Sequence, residues 1–435
     1  MASANVLSAD NLTHALAQPL PTVVPYAAQA FRSSAVIEHV LDELTAAHPG
    51  LGVDDLLQGN VQVHSTVDAR LQRIVNEALE RGLEAYQGRH PRAVGVVQGS
   101  VVVLDNRDGS VLAEVGGRQT YHGRTTSYSD FNRVRQAMRQ PGSAMKPIVY
   151  LAAFNTGVFN LTTLVPDEPI SVPDRDPASP KWIANYDGKF KGLIPVREAL
   201  AESRNAVAIW LTNKIGINAV LRTSRQLGVL TPLQPFVTTA LGASEVSLIE
   251  LATAYRTIAT GVLVKPYVID RVERAGAAIA GPAHTGVAVA IPRDVLALIQ
   301  EGLRGVVRMP TGTAHALDLW RLPIAVMGKT GTTNDFRDAL FVGSTYGADG
   351  ITVAVRIGYD DNRTLGARET GGRVALPVFG EIMLNAYRDR IVGAAPVFPV
   401  LMEEHITHYL QGDQATPVAS GAPAGNVLVA AAPLR

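Results

Sequence analysis

The chain has 435 residues, of which 39 are basic and 39 acidic, and it contains no cysteine. A polypeptide of this length can bury a core without covalent staples, and it accommodates one large domain or two to three smaller ones. The absence of cysteine excludes disulfides, thiolate zinc sites, iron–sulfur clusters and a cysteine nucleophile. The balanced charge argues against a nucleic-acid-binding surface, and the longest apolar runs are too short to predict a membrane-spanning helix.

The first part of the chain shows helical periodicity. A helix is expected within Ala27–Ala46, and a second over Asp68–Gly82, with Asp68 as its cap. Gln62–Thr66 alternates in the manner of a short strand between them. From Gly412 to Arg435 the sequence is rich in Ala, Gly and Pro and carries little charge, which predicts a tail without packed structure.

Two groups of strand-like runs lie far apart in the sequence. The first group comprises Ala93–Val97, Ser100–Asp105 and Val111–Gly116, with the turn signal Asn106–Gly109 predicting a hairpin. The second comprises Ile324–Gly328, Ala339–Ser344 and Thr352–Tyr359. The intervening sequence is mostly helical in pattern, as in Ser247–Thr260. Both ends of one domain are therefore expected to form a single sheet around a helical insertion, which is an α+β fold.

The first candidate for chemistry is the segment Gln140–Pro147, in which Lys146 follows Ser143 by three residues. A Pro-Gly turn precedes the serine and an apolar run follows it, so Ser143 is expected near a helix N-terminus with Lys146 on the same face. A serine attacks only when a base takes its proton, and a lysine is such a base once burial or positive charge lowers its pKa. An isolated S-x-x-K more often means a helix cap beside a solvated lysine.

The second candidate is the pair Ser203 and Asn205, which opens the apolar stretch Ala206–Leu211. A hydroxyl and a carboxamide at this spacing can point into one cleft, where the hydroxyl relays a proton and the amide holds a substrate peptide group. The same pair can also cap a helix, and Ser3-Ala4-Asn5 matches the pattern without chemical meaning. This motif therefore gains weight only beside the others.

The third candidate is Lys329-Thr330-Gly331-Thr332, which the strand-like run Ile324–Met327 leads into. Small residues there let a substrate backbone lie beside the strand edge, and the threonine hydroxyls and the ammonium suit a carboxylate. Backbone N–H groups in this segment can complete an oxyanion hole. A phosphate-binding loop does not fit, because Pro323 stands where its first glycine belongs and the strand lies directly before Gly328.

The motifs occur in the order S-x-x-K, S-x-N, K-T-G, an arrangement known from β-lactamases and penicillin-binding proteins. Over roughly Val61–Met383 the chain resembles the transpeptidase domain of class A penicillin-binding proteins. Further segments that carry the resemblance are Phe131–Arg133, Arg139–Ser143, Asn185–Gly188, Val196–Leu200, Leu241–Val246, Gly328–Ala339, Gly358–Asn362 and Glu369–Gly372. Arg204 departs from the family pattern, which favours a smaller or apolar residue in the middle of S-x-N, and this departure bears on access to the cleft.

The resemblance implies the serine β-lactamase/D,D-transpeptidase fold, an α+β architecture in three α-β-α layers. It comprises a five-stranded antiparallel sheet and an all-helical subdomain, with Ser143 at the cleft between them. Ser143 is then expected to attack the carbonyl between the two terminal D-alanines of a peptidoglycan stem peptide. An amine from a neighbouring stem peptide would resolve the acyl-enzyme and form the cross-link.

The resemblance also implies a role for each motif residue. The catalytic residues would be Ser143 as nucleophile, Lys146 as its base, Ser203 as proton relay and Lys329 as electrostatic support. The substrate-binding residues would be Asn205, Thr330, Gly331 and Thr332. β-Lactams imitate the D-alanyl-D-alanine end and would trap Ser143, while no metal, organic cofactor or nucleic acid is implied.

The expected organisation has four parts. Residues 1–60 would be the end of an upstream glycosyltransferase domain with its linker, 61–92 a linker or pedestal, 93–390 the transpeptidase domain, and 391–435 a C-terminal extension. Met1–Leu20 has no signal-peptide pattern, and Ala4–Pro21 looks like the trailing end of a glycosyltransferase domain. We therefore expect a piece of a longer protein, anchored in the bacterial inner membrane with this domain outside the cytoplasm. No glycan polymerisation is expected from this chain.

Two alternatives stay open at this point. A D,D-carboxypeptidase or a β-lactamase would use the same acyl-enzyme with water as acceptor, and a non-catalytic sensor would bind β-lactam or peptidoglycan without turnover. Two groups of titratable residues are assigned no chemistry. Asp360, Asp361 and Glu369 are expected to be scaffold near the cleft, and Glu403, Glu404, His405 and His408 solvated surface.

Overall fold

Helices and strands follow one another along the part of the chain that the computed structural model describes, residues 34–93, 96–118, 131–173, 180–279 and 284–412. The α-helices there are α1 Ser34–Ala47, α2 Val53–Leu57, α3 Ala69–Arg89, α4 Lys146–Phe154, α5 Val196–Ala201, α6 Asn205–Ile215, α7 Ile217–Gln226, α8 Leu248–Thr260, α9 Arg293–Arg308, α10 Ala316–Leu319, α11 Gly371–Arg388 and α12 Val400–Leu410. The strands are β1 Val61–Ser65, β2 Gln98–Asp105, β3 Val111–Val115, β4 Leu164–Asp167, β5 Ile170–Val172, β6 Lys181–Ile183, β7 Gly192–Pro195, β8 Val262–Leu263, β9 Ile269–Arg274, β10 Ala277–Ile279, β11 Val287–Ala288, β12 Met327–Thr332, β13 Asp338–Ser344 and β14 Ile351–Gly358.

The central sheet has five antiparallel strands in the order β12-β13-β14-β2-β3. Its two halves, one from each end of the domain, join along β14 and β2, where Ile351 lies opposite Asp105 and Gly358 opposite Gln98. Every residue of β13 and β14 is buried, as the apolar and β-branched runs predict for strands that are covered on both faces. The predicted α+β fold, with one sheet built from both ends, is confirmed.

Helices cover both faces of this sheet. Successive side chains of a strand point to opposite faces. Phe341 stacks edge-on against Phe379 of α11, while the neighbouring Leu340 faces Leu248 and Leu251 of α8. Helix α3 packs beside α11 and also against β2 and β3. The result is the three-layer α-β-α arrangement that the resemblance implies.

Local sequence signals fix the N-terminal ends of two of the predicted helices. The Asp68 carboxylate accepts hydrogen bonds from the backbone N–H groups of Arg70 and Leu71, at 2.8 and 2.9 Å, and so caps α3. Ser247 caps α8 in a capping box with Glu250. Of the helix expected over 27–46, the described part is α1. Residues 1–33 of the expected glycosyltransferase remnant and linker, and residues 413–435 of the expected tail, lie outside the described residues.

The strand predicted over Ala93–Val97 is wrong. Ala93 belongs to the 3₁₀ turn Pro91–Ala93, Val94 and Gly95 lie outside the described residues, and β2 begins only at Gln98. Gly99, which we interpreted as a break between two strands, lies inside β2. A Cβ atom there would come within 2.5 Å of Leu79 Cδ1, so this glycine allows α3 to approach the sheet closely.

The helical subdomain is built around α4. Every residue of α4 is buried, including Lys146 at its start, and α4 packs against α6, α7 and α9. The short strand pairs β4–β7 and β5–β6 lie in the same region of the chain. The subdomain therefore carries the first two motifs, while the sheet carries the third.

The expectation of a solvated surface around Glu403 is wrong in part. The Glu403 carboxylate accepts hydrogen bonds from Arg304 at 2.6 Å and from Arg308 at 2.9 Å, and His405 contacts Glu301 at 3.1 Å. These pairs attach α12 to α9. Among the described residues, none of the helices is both long enough and apolar enough to cross a membrane.

Candidate active site

Ser143 lies in the 3₁₀ turn Gly142–Met145 that leads directly into α4. Gly142 has φ +53°, and a Cβ atom on it would lie 2.5 Å from the backbone oxygen of Thr332. The Tyr255 hydroxyl donates a hydrogen bond to the Ala144 oxygen at 2.8 Å, which ties the turn to α8. The serine is therefore set between the sheet edge and the helical subdomain by close backbone contact.

Lys146 is fully buried and its amine has three oxygen partners. Its Nζ donates to the Ser203 backbone oxygen at 2.6 Å and to Asn205 Oδ1 at 2.6 Å, and it lies 3.1 Å from Ser203 Oγ. Burial lowers the pKa of Lys146 well below its ordinary value, and the positive charges of Lys329 and Arg204 lower it further. The first two motifs thus meet at one amine that gives up its proton more readily than an ordinary lysine.

The S-x-N motif lies in the sharp turn before α6. Ser203 has φ +61°, a left-handed conformation that is uncommon for a residue other than glycine and is found where surrounding contacts enforce it. Ser203 is not the cap of α6, because Arg204 occupies that position. The helix end is instead satisfied by Asn185, whose Oδ1 accepts hydrogen bonds from the backbone N–H groups of Asn205 and Ala206, at 2.8 and 3.2 Å.

Arg204 points away from the cleft. Its side chain is buried, and it binds Asp167, Asp187 and the backbone oxygen of Lys189. Arg204 is not among the residues that line the cleft, so the departure from the family pattern does not narrow access. A single sequence gives no sign of this orientation, because an arginine before a helix is usually solvated.

The K-T-G motif lies within β12 rather than after it. Lys329 pairs with Val342 of β13 and Thr332 with Ala339, so the motif backbone is fixed by the sheet ladder. A Cβ atom on Gly331 would lie 2.6 Å from the Pro141 oxygen, which explains why only glycine fits where the chain just before the Gly142–Met145 turn crosses β12. Burial lowers the pKa of Lys329 to about 7.

Hydroxyl groups surround the Lys329 ammonium. Its Nζ lies 3.3 Å from Thr330 Oγ1, which in turn donates to Thr313 Oγ1 at 2.8 Å. Thr332 Oγ1 accepts a hydrogen bond from the Gly371 N–H at 3.1 Å. Thr313 was missed by sequence reasoning, since the loop before α10 carries no motif, and it adds a third hydroxyl to this end of the cleft.

A cleft of about 410 Å³ is bordered by residues of all three motifs, whereas Lys146, Lys329 and Gly331 are not among its lining residues. It is lined by Ser143, Tyr186, Glu202, Ser203, Asn205, Leu241, Thr313, Thr330, Thr332, Thr333, Asn334, Asp335, Phe336, Thr370 and Gly372. Tyr186 and Phe336 face each other edge-on, with ring centroids 6.2 Å apart. Within the described chain the Ser143 hydroxyl makes no hydrogen bond to Lys146, as is common in catalytic sites without substrate.

The scaffold role predicted for the acidic residues near the cleft fits their contacts. Asp360 binds Arg133 at 2.6 Å, and Glu369 binds Arg89 at 2.8 Å. Both carboxylates are therefore engaged by arginines, which leaves them poorly suited to acid–base work. Asp361 forms a pair with Arg363 at 3.6 Å.

A serine at the start of a helix, a buried amine behind it and a K-T-G strand opposite form the arrangement known from β-lactamases and penicillin-binding proteins. The chain belongs to the family of penicillin-binding protein transpeptidase domains, and the family model matches residues 99–384. This membership, the fold and the three motifs agree with the resemblance drawn from the sequence.

Among curated relatives, penicillin-binding protein 1A of Aquifex aeolicus is 36% identical over 300 residues, which are 68% of this chain and 39% of that protein. Penicillin-binding protein 1A of Neisseria lactamica is 37% identical over 305 residues, which are 68% of this chain and 36% of that protein. The chain thus spans well under half the length of these relatives.

Solved structures share the fold. The crystal structure of penicillin-binding protein 1A from Haemophilus influenzae superposes with a TM-score of 0.73 at 21% identity, covering 92% of this chain and 76% of that one. PonA1 from Mycobacterium tuberculosis, solved in complex with penicillin V, superposes with a TM-score of 0.67 at 23% identity, covering 84% of this chain and 95% of that one.

Proposed function

We propose that this chain is a penicillin-sensitive serine D,D-transpeptidase that cross-links peptidoglycan stem peptides. The donor is a stem peptide ending in D-alanyl-D-alanine, and the acceptor is a side-chain amine of a neighbouring stem peptide. The observation that carries the proposal is the buried Lys146 amine, held between Ser203 and Asn205 next to the serine turn. Such an amine is a base poised for a serine hydroxyl.

In the first half-reaction Ser143 Oγ attacks the carbonyl carbon between the two D-alanines, and Lys146 takes the hydroxyl proton. The resulting ammonium has three N–H donors, which match the three oxygens around it: Ser203 O, Ser203 Oγ and Asn205 Oδ1. The proton passes through the Ser203 hydroxyl to the leaving amine. The C–N bond breaks, D-alanine departs, and an ester to Ser143 remains.

In the second half-reaction the acceptor amine attacks this ester. Ser203 and Lys146 take the amine proton and return one to Ser143, so the new amide forms and the serine is regenerated. The backbone N–H groups of Ser143 and Thr332 bind the oxyanion in both steps. The close contact of Gly142 with Thr332 supports this assignment, because it places the serine turn against the backbone of Thr332.

Substrate recognition is assigned to the two sides of the cleft. Thr330 and Thr332 bind the terminal carboxylate, with Lys329 beside them and Gly331 leaving room for the substrate backbone. Asn205 holds the donor amide from the opposite side. The pKa of about 7 for Lys329 allows it to carry a positive charge once an anionic carboxylate arrives, because a nearby negative charge raises the pKa of an ammonium.

Transfer to an amine is favoured over hydrolysis by the state of the carboxylates in the cleft. A hydrolase that clears its acyl-enzyme quickly needs a base for water. Two carboxylates line the cleft in the described chain: Glu202 binds Lys191 at 2.6 Å, and Asp335 binds Arg337 at 3.3 Å. Since each is paired with a cation, neither is a free base, and we expect the acyl-enzyme to persist for hours.

The proposal includes a setting for the reaction. The relatives are longer proteins, and we propose that the full-length parent is anchored in the bacterial inner membrane with this domain on the extracytoplasmic side. Glycosyltransferase activity is assigned to no part of this chain. The ligand class is supported by PonA1 of Mycobacterium tuberculosis, whose structure was determined in complex with penicillin V.

Labelling with a fluorescent penicillin, followed by intact-mass and peptide-mass analysis, tests this proposal. One adduct on the peptide that contains Ser143, absent in Ser143→Ala, is the expected result. Adduct release within minutes would identify a β-lactamase instead, and a folded wild-type chain that forms no adduct would refute catalysis. Stem-peptide donors with an added amine acceptor then separate transpeptidation from carboxypeptidation by the product released.

A further inference from the structure

The buried arginine in the middle of S-x-N has no place in the reaction described above. Its guanidinium lies 2.7 Å from Asp167 and 2.9 Å from Asp187, and it donates to the Lys189 oxygen at 2.6 Å. The residue is only 4% exposed, although it stands between Ser203 and Asn205, which both line the cleft. Burying a charged guanidinium carries a desolvation penalty, which the ion pairs with Asp167 and Asp187 offset.

Asp167, the last residue of β4, connects Arg204 to the second half of the motif. One carboxylate oxygen accepts from Arg204 Nε at 2.9 Å, and the other accepts from Asn185 Nδ2 at 2.8 Å. Asn185 in turn accepts the N–H of Asn205, whose Oδ1 binds Lys146. A continuous chain of hydrogen bonds therefore runs from Arg204 through Asp167 and Asn185 to the catalytic amine.

The same contacts explain the strained backbone of Ser203. A left-handed conformation costs a non-glycine residue about 1–2 kcal/mol, so it needs outside support. Ser203 is directly followed by Arg204, whose side chain is fixed to β4 and to the 187–189 loop. The backbone N–H of Arg204 donates a hydrogen bond to the Ala199 oxygen at 2.9 Å. This turn presents the Ser203 carbonyl oxygen and hydroxyl to the same amine.

We propose that Arg204 is a positioning residue for the transpeptidase reaction: together with Asp167 it fixes Ser203 and Asn205 on Lys146 and adds its permanent positive charge to those that act on that amine. The inference rests on the proposed role of Lys146 as the base. Arg204 contacts neither substrate nor reacting atoms, and it acts only through its neighbours.

The electrostatic part follows from the charges that face Lys146. Lys329 approaches from β12 and Arg204 from the turn before α6, and both lower the pKa of Lys146 in addition to burial. Tyr150 lies one turn further along α4, and Glu202 is committed to Lys191. Because the guanidinium stays charged at every accessible pH, the effect of Arg204 on the pKa of Lys146 does not change with pH.

Replacing Arg204 and replacing Asp167 should shift the pH dependence of acylation in opposite directions. Arg204→Met deletes a positive charge and leaves Asp167 and Asp187 without their cation, so protonated Lys146 becomes more stable. Its pKa rises, and the acid limb of the acylation profile should move up by roughly one pH unit. Asp167→Asn keeps the arginine charge but removes its principal anion, so the limb should move down.

The test is the second-order rate of acylation by benzylpenicillin, measured from acidic to alkaline pH for the wild type, Arg204→Met, Arg204→Lys and Asp167→Asn. Arg204→Lys keeps the charge and loses the planar guanidinium fork. It should slow acylation, but the acid limb of its pH profile should move by less than half as much as in Arg204→Met. Arg197→Met is the matched control, since Arg197 is also buried and pairs with Glu301 rather than with any residue of the cleft. It should lower stability and leave the profile unmoved.

An unshifted limb in Arg204→Met, with only a lower rate at all pH values, would overturn the electrostatic role. If Arg204→Met does not fold, Asp167→Asn decides alone, and an upward or absent shift overturns the proposal. A wild-type chain without an adduct would refute the proposed function itself, which distinguishes the two failures.

Discussion

Replacement of Gly142 by alanine tests whether backbone contact with β12 sets the nucleophile. Gly142 has φ +53°, and the new Cβ atom would lie 2.5 Å from the Thr332 oxygen and 2.9 Å from its carbonyl carbon. The left-handed conformation costs alanine about 1–2 kcal/mol, and overpacking against a backbone atom that cannot rotate away adds about 1–3 kcal/mol. The free energy of unfolding should therefore fall by about 2–5 kcal/mol.

The catalytic effect should exceed the loss of stability. Relief of the overlap requires the serine turn to move away from Thr332, which separates the two proposed oxyanion donors. A displacement of about 1 Å can lower a rate by about 10²-fold. We expect a decrease of that order in the rate of penicillin acylation, measured by stopped-flow fluorescence under conditions in which the variant is folded.

Gly157→Ala provides the matched control. Gly157 also has positive φ, at +72°, but nothing lies within 4 Å of the added Cβ atom. It should cost only the conformational term of about 1–2 kcal/mol and leave acylation unchanged. Equal destabilisation of the two variants in urea titrations, together with wild-type acylation by Gly142→Ala, would refute the reasoning.

Substitutions at three other positions probe the buried charges and the helix cap. The pKa of Lys329 falls from 10.5 to about 7 on folding, so unfolding takes up a proton at pH values between these two, and the stability rises with pH across that window. In Lys329→Met the free energy of unfolding, measured by urea titration at the two ends of the window, should therefore rise less than in the wild type. An unchanged rise would contradict the shift. Asp338→Asn leaves the buried Arg356 without its anion and should cost about 3–5 kcal/mol in chemical denaturation, whereas a loss below about 1 kcal/mol would show that the pair is solvated. Asp68→Ala should cost about 1 kcal/mol by the loss of the α3 cap, and Asp68→Asn should recover most of it.

Elements whose signals are local were predictable. Helix α8 combines an apolar stripe with the capping box of Ser247 and Glu250, and the β2–β3 hairpin has its turn residues at 106–109. The strand β12 was placed about three residues too early, because Gly328 and Gly331 lower its apparent strand propensity. Pairing with β13 and the crossing of the nucleophile turn decide its true bounds.

Contacts between distant segments were not predictable. The three motifs could be recognised by their order, but nothing in the residues around 204 shows that its side chain turns toward Asp167 rather than the cleft. Thr313 and Asn185 likewise reach the site only through the fold. Each depends on packing between segments far apart in the sequence, and a single sequence carries no record of such packing.

The joining of β2 and β14 has a consequence for how the chain acquires activity during synthesis. Thr352 donates a hydrogen bond to Asn106 across 246 residues, so the sheet is completed only after nearly the whole domain has left the ribosome. Closing so long a loop is slow, whereas the helices between the two strands can form earlier from local contacts. The serine turn and its lysine would then exist first in a subdomain that lacks the K-T-G strand. A nascent chain stalled before residue 327 should remain unreactive toward penicillin.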